Sequence, residues 1–405
     1  MTGPGPTSPG PTSPGPTSPE RTGAGRRVGP ARLLALAALA VVVALVPLAA
    51  FSVPGLFAAP VSAPGTLQLL ALMLVFGGVA LTYDLQFGFT GLLSFGHALY
   101  FAAGTYVTVV AVSRYHLDLG PALGLAALAG VVVPVVLGSL CLRVGGIAFA
   151  MVTLAFAEAL SILVVSDPLH LTGGSVGLTL DGSHLPAFFV GVVNTVNLYW
   201  LAAGYLAVTV AVVWWAVRSS PGRVWRAIRE NELRVQVIGL HPFRFKLMAF
   251  TLSSFLATMG GAVYAVVLGG ATTDVTTTSF TLGLLVMVVL GGAGTGWGAV
   301  VGGIVYTYLD QRLVQLAATP SVGSLPPVLR VPLSQPLFVL GAIFVLLVLF
   351  FPGGIAGAVS RRRGADVRGL VVPDRRAVPR AGARAGPGAG AETGASTTAG
   401  AGPGA

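Results

Sequence analysis

Residues 218–250, RSSPGRVWRAIRENELRVQVIGLHPFRFKLMAF, form a long Arg-rich polar segment set between strongly apolar runs. The contrast constrains the fold more than any other feature. The whole chain of 405 residues is 54% hydrophobic and 9% charged, with a mean hydropathy of +0.86. A soluble globular chain carries about 25% charged residues, so the bilayer is the solvent this composition suits. The 56 glycines agree, because small residues let transmembrane helices approach closely. The expected class is all-α: a polytopic transmembrane helical bundle of about ten spans with disordered N- and C-terminal tails.

The tails are set apart by composition. Residues 5–19 repeat GPTSP three times, and the segment after Arg363 is rich in Ala, Gly and Arg. Neither buries enough apolar surface to offset chain entropy. The expected division is a low-complexity arm over 1–30, a membrane domain over 31–358 and a tail over 359–405.

A bilayer-spanning helix needs ~20 mostly apolar residues. Such runs lie near 31–52, 65–86, 91–112, 120–141, 146–166, 197–217, 246–268 and 336–352. The longer run 278–309 is interrupted by GGAGTGWG at 291–298, which predicts two short helices meeting at a Gly-rich turn. The apolar stretch 185–196 fits a short re-entrant piece. Cytoplasmic loops concentrate positive charge. Arg21, Arg26, Arg27 and Arg32 precede the first span, and Arg361, Arg362 and Arg363 follow the last. Both termini are therefore expected inside, and ten crossings also place Arg143 and the 218–246 loop there. Arg114, Arg312 and Arg330 fall outside as isolated charges. The first span, with small residues near Ala58–Ala63, also resembles a secretory signal; its ~20-residue length favours an uncleaved helix.

Within the charged loop, the spacing predicts a capped helix over 221–238. Ser220 suits the N-cap, Pro221 the first helical position, Gly239 the left-handed stop, and Pro242 lies just beyond. Arg226 and Glu230, then Glu230 and Arg234, stand four apart and are expected to pair. Trp225, Ile228 and Ile238 supply apolar anchors. An ordinary solvated loop has neither such caps nor a buried-type Trp, so the segment reads as a docking surface for a soluble partner.

Glu158 falls near the middle of the fifth run, where a charge costs at least ~2.5–3.5 kcal/mol on insertion scales. It needs a partner or a water-filled path, and Thr153 or a neighbouring helix could supply the former. Ser94 and His97 stand three apart on an expected helix face and offer a nucleophile–base pair. No third residue orients the His, and a packing contact beneath Gly88, Gly91 and Gly96 is the simpler reading. No metal-ligand spacing stands out. There is no GxxxxGK[ST] phosphate loop, so the chain is not itself an ATPase. Cys141 is the sole cysteine, which excludes an intrachain disulfide.

The loop SPGRVWRAIRENELRVQVIGLHPFRFKLMAF resembles the coupling loop of the branched-chain amino-acid ABC-transporter permease family. Further segments agree in order: GFTGLLSFGHALYFAAGTY at 88–106, IAFAMVTLAFAEAL at 147–160, LTGGSVGL at 171–178, MVVLGGAGTGWGAVVGG at 287–303 and FPGGIAG at 351–357. The resemblance covers roughly residues 65–358. Val176 departs from the polar residue common at that place, Ser279-Phe280-Thr281 lacks an acid, and the loop lacks the glutamate of the general importer-permease motif. Neither tail has a counterpart.

The resemblance implies a permease subunit of an ABC importer for leucine, isoleucine or valine in a bacterial plasma membrane. It also implies a second permease, two cytoplasmic ATPase subunits and an external solute-binding protein, with neither cofactor nor nucleic acid involved. Arg226, Arg229, Glu230, Asn231, Glu232 and Gly239 are the candidate coupling residues, and Gly91, Ser94, His97, Thr153 and Glu158 the candidate path residues. Similar permeases carry urea, short amides or nucleosides. The rival from another class is an intramembrane hydrolase using Ser94 and His97.

Overall fold

The computed structural model describes residues 60, 62–191, 194–317, 335–350 and 353–362, besides Gly3. The expected first span at 31–52, nearly all of the N-terminal arm and the tail beyond Arg362 lie outside these residues. Described residues before Ser360 belong to one compact unit; of the second unit, only Ser360–Arg362 are described, at the end of a helix.

The described chain is helical nearly throughout. Its α-helices are α1 (Pro64–Asp84), α2 (His97–Ser113), α3 (Leu119–Cys141), α4 (Ile147–Ser166), α5 (Thr195–Arg218), α6 (Ser220–Glu230), α7 (Glu232–Val237), α8 (Pro242–Leu268), α9 (Thr278–Gly291), α10 (Trp297–Ala317), α11 (Pro336–Phe350) and α12 (Gly354–Arg362). A π-helical turn, Leu85–Phe89, extends α1. Five helices are long and apolar enough to cross a bilayer: α1 with its π turn, α3, α4, α5 and α8. Shorter apolar helices occupy 97–113, 278–291 and 336–346.

Burial separates an inner layer from an outer one. Within the most apolar stretch, 67% of α1 and 61% of α8 is buried, against 22% of α3 and 28% of α4 and α5. α1 packs against α5, α8 and α10, whereas α8 packs against α2 and α3. Close approach explains the glycines at the α2–α8 crossing. A Cβ on Gly104 would collide with the Thr258 carbonyl, and one on Gly261 with that of Phe101. Small-residue contact of this kind is how helices associate where no hydrophobic gradient drives them together. The outer helices instead expose apolar side chains, including Leu128, Val132 and Val136 of α3 and Ile162 and Leu163 of α4. On α5, exposed Trp200 stands near one end and exposed Trp214 and Trp215 near the other. The separation is about 20 Å at 1.5 Å per residue, which fits aromatic belts at two membrane interfaces.

The inter-helix connections gather in two places. Loops after α2, α4 and α8 meet each other. There Leu178 pairs with Ala271 and Thr179 with Gly270 in a two-stranded antiparallel ribbon, and Ser113 Oγ donates to the Thr179 carbonyl at 2.9 Å. The π turn, α6, α7 and the turn between α9 and α10 meet at the other ends of the helices.

Three expectations change. The third apolar run does not start a helix at 91; residues 91–96 are non-helical and α2 begins at His97. The Gly-rich interruption after α9 is a turn as expected, but α10 has 21 residues and is not short. The described part of 185–196 carries a 3-10 turn at Ala187–Phe189, tied down by the Asn197 amide on the Phe188 carbonyl at 2.7 Å, and α5 starts at Thr195.

Candidate functional site

The charged loop folds as two helices, not one. Asn231 leaves the helical region (φ −163°, ψ 107°), ends α6 and caps α7, its Oδ1 accepting the Arg234 amide at 3.1 Å. The α6 cap is Ser219, whose Oγ accepts the Gly222 amide at 3.4 Å; Ser220 is already helical, and its hydroxyl accepts from Arg223 at 2.9 Å. Gly239 takes the left-handed conformation (φ 87°) expected of a stop. Pro242, rather than only closing this loop, starts α8, where its missing N–H has no helical acceptor to lose.

Trp225 is fully buried, and its indole Nε1 donates to the Phe245 carbonyl of α8 at 2.8 Å. Ile228 is buried beside it, whereas Ile238 is exposed and anchors nothing. The expected Arg226–Glu230 and Glu230–Arg234 pairs are not formed among the described residues. Arg226 donates instead to the Val217 carbonyl at 3.0 Å, fastening α6 to the end of α5. Glu232 pairs with Lys246 of α8 at 2.6 Å. One face of α6 is therefore locked to the membrane helices, and Arg223 and Glu230 stay on its exposed side. A groove lined by Glu232, Gln236, Gly239, His241, Phe243 and Lys246 opens beside α7.

Arg229 reaches inward and donates to the Gly88 carbonyl in the π turn. The same turn abuts a buried acid. Asp84 accepts the Gly294 amide at 2.6 Å on one oxygen and the Gly296 amide at 3.0 Å on the other, so it fastens the α9–α10 turn to the end of α1. A Cβ on Gly88 would collide with both Asp84 and the Gly294 amide, so only glycine lets the strands of this knot meet. π-helical turns inside α-helices are frequent at functional sites, and this one joins the charged loop to two helix ends.

Gly91 lies under Arg229 at the same place (φ 77°). Ser94 and His97 do not form a pair. The Ser94 Oγ accepts the Gly96 amide at 3.2 Å, and the His97 ring sits between Thr82 Oγ1 (3.0 Å) and Gln86 Oε1 (3.3 Å). Both are fully buried, and Ser94 precedes the helix rather than sharing its face. Thr153 of α4 accepts the Phe95 amide at 3.1 Å, which packs the non-helical 91–96 segment against α4.

Glu158 is bonded not to Thr153 but to Thr278, whose hydroxyl donates to its Oε1. One turn along, Ser161 Oγ and Thr276 Oγ1 are 3.1 Å apart. These four residues make a polar strip between α4 and the start of α9. Glu158 itself lies on an exposed face of α4 with apolar Met151 and Ile162. An acid on the lipid face of a span is costly, so this face suits contact with a second protein or an aqueous path.

The TGG segment that follows α4 is organised by Asp167. Its carboxylate accepts the amides of Leu171 (2.7 Å), Thr172 (3.0 Å) and Gly173 (3.0 Å). Those bonds, the Thr172 amide foremost, hold the Asp167 carboxyl below the usual carboxylate range.

A model of the branched-chain amino acid transport system / permease component family matches residues 65–348. The chain belongs to that family. The high-affinity branched-chain amino acid transport system permease protein LivM of Salmonella typhimurium is 28% identical over 313 residues, covering 72% of this chain and 70% of the relative. The protein of the same name in Escherichia coli is 26% identical over the same shares. A probable branched-chain amino acid transport permease protein LivM of Methanocaldococcus jannaschii is 24% identical over 337 residues, 72% of this chain and 94% of the relative. No solved structure matches the chain.

The family's matched region contains every segment of the site. Asp84, Lys246 and Thr281 are absent from the sequence-based set. Asp84 had a visible signal, an acid at the end of an apolar run. Thr281, in the stretch that lacks the family's acid, caps α2 by accepting the Ala98 amide at 3.1 Å, a role that only the fold discloses.

Proposed function

We propose that this chain is the permease subunit of an ATP-driven importer and, with a second permease, forms the path for leucine, isoleucine and valine across a bacterial plasma membrane. The observation that carries this reading is the seating of α6. Trp225 and Arg226 lock it to α8 and α5, Arg229 ties it to the π turn of α1, and its remaining charged side is exposed. A rigidly held polar helix with one open face is suited to receive force from a soluble partner. Two cytoplasmic ATPases closing on it would shift α5 and α8 together and pull on the Gly88–Asp84–Gly294 knot. An external solute-binding protein would deliver the cargo to the opposite face.

Ten crossings with both termini inside remain the best topology. Among the described residues, α1, α3, α4, α5 and α8 are long and apolar enough to cross, and the shorter apolar α2, α9 and α11 are compatible with further crossings. The basic residues before the first run and after α11, with those of the 218–246 loop, support an inside location. The deciding experiment is co-expression with candidate ATPases and a second permease, followed by ATP-dependent uptake of labelled solutes into proteoliposomes. Leucine, isoleucine and valine should compete with one another. Uptake of urea, a short amide or a nucleoside without competition by leucine would reassign the cargo. Solute hydrolysis without any ATPase would be needed for the hydrolase reading, which the separation of Ser94 and His97 does not favour.

A further inference from the structure

Three side chains with no part in the charged loop or the polar strip converge at the end of α2 remote from α6. His116 follows α2, and in the α4–α5 connection Asp181 caps the start of a 3-10 turn that His184 ends. One ligand atom from each lies within 4.8 Å of the other two. The imidazoles of His116 and His184 are 5.3 Å apart between centroids. We propose that His116, Asp181 and His184 bind a divalent transition-metal ion of the zinc class.

The donor set selects the ion. Two imidazoles and a carboxylate suit zinc, which takes His nitrogen and Asp oxygen at about 2.0–2.2 Å. Calcium and magnesium prefer all-oxygen shells. Three protein ligands leave one tetrahedral position for water. His116 is exposed and the other two are half-buried, so their side chains have room to turn toward an ion.

The backbone beneath is already positioned. Ser113 Oγ at the end of α2 accepts the Asp181 amide at 3.0 Å and donates to Thr179 at 2.9 Å, so the two ligand-bearing segments are tied together without metal. Asp181 Oδ1 accepts the Ser183 amide at 2.9 Å, which fixes the direction of the carboxylate. Asp118 Oδ1 stands 4.0 Å from His184 Nδ1 and adds negative charge beside the cluster. His116 adopts a left-handed backbone (φ 52°), which is uncommon outside glycine and is maintained here beside His184. A bound ion would staple the α2–α3 turn to the α4–α5 loop.

The test uses the full chain purified in lipid nanodiscs through a tag without histidine, stripped with a chelator and re-equilibrated with zinc(II). Elemental analysis should give close to one zinc per chain. Cobalt(II) should give the intense visible bands of a four-coordinate site. Both signals should vanish in His116→Ala/His184→Ala and persist in His170→Ala/His241→Ala. Should the double variant elute abnormally, His116→Gln, at an exposed position, carries the same readouts. Zinc bound equally by wild type and a folded ligand variant, or a cobalt spectrum like that of the aqueous ion, would overturn the site.

Discussion

The Asp84 carboxylate accepts the Gly294 amide at 2.6 Å, joining the end of α1 to a turn 210 residues further along the chain. Its other oxygen takes Gly296 at 3.0 Å. An anion that satisfies two amides of a Gly-rich turn is hard to replace, because a buried amide left without an acceptor is costly.

Asp84→Asn tests the knot. Asparagine keeps one acceptor oxygen but sets an NH2 group against the second amide. Leaving a buried donor unmet costs about 1–3 kcal/mol. The variant should insert normally, unfold at a lower temperature in nanodiscs and transport more slowly. An unchanged unfolding midpoint together with wild-type uptake would remove Asp84 from the account.

Glu232 and Lys246 form a partly exposed pair at 2.6 Å. Such pairs contribute roughly 0–1 kcal/mol to stability, so Glu232→Ala should scarcely affect folding. Uptake and ATPase co-purification should nevertheless fall, because α7 loses its tie to α8. The charge swap Glu232→Lys/Lys246→Glu should restore most of both. Reversing Arg229 and Glu232 together should abolish them, since Arg229 also loses the Gly88 carbonyl. Retained co-purification in that double variant would refute the coupling assignment.

Much of this arrangement is legible in the sequence, and the reasons differ by residue. Gly239 is readable because a left-handed stop is a local backbone demand, and Trp225 because a large aromatic among arginines needs burial. The break at Asn231 is less visible, since the Arg–Glu spacing alone favours a continuous helix. The partners of Asp84, Glu158 and Glu232 are long-range: Gly294, Thr278 and Lys246 come from other helices or turns. Local spacing carries no record of such meetings. His116 and His184 are invisible as a pair for the same reason, being joined only when the loops after α2 and α4 fold together.

Orientation is open to direct measurement. In a Cys141→Ala background, Val176→Cys replaces an exposed residue of the loop after α4, and Ser219→Cys lies at the α6 cap. A membrane-impermeant thiol reagent should label Val176→Cys in intact cells and Ser219→Cys only after permeabilisation. The reverse pattern would invert the topology. The same background serves for deleting residues 2–24 and 366–405, which should leave uptake essentially intact because their composition cannot form a core.

Glu158 offers the sharpest test of where the path runs. Its carboxylate takes a hydrogen bond from Thr278, yet it remains on an exposed face of α4. A bond to one hydroxyl does not compensate a charge in lipid, where the cost at mid-span is at least ~2.5–3.5 kcal/mol. Glu158→Gln keeps the shape and an acceptor for Thr278 but removes the charge; Glu158→Leu removes both. If the carboxylate serves transport, the Gln variant should insert and assemble with its partner permease while changing the uptake rate or its pH dependence. If the residue serves only to hold α4 against α9, Gln should behave as wild type and Leu should impair assembly. Thr278→Val separates these cases further, because it releases the carboxylate from its partner without altering its charge. Wild-type uptake across pH in all three variants would end the case for a polar path along this face of α4.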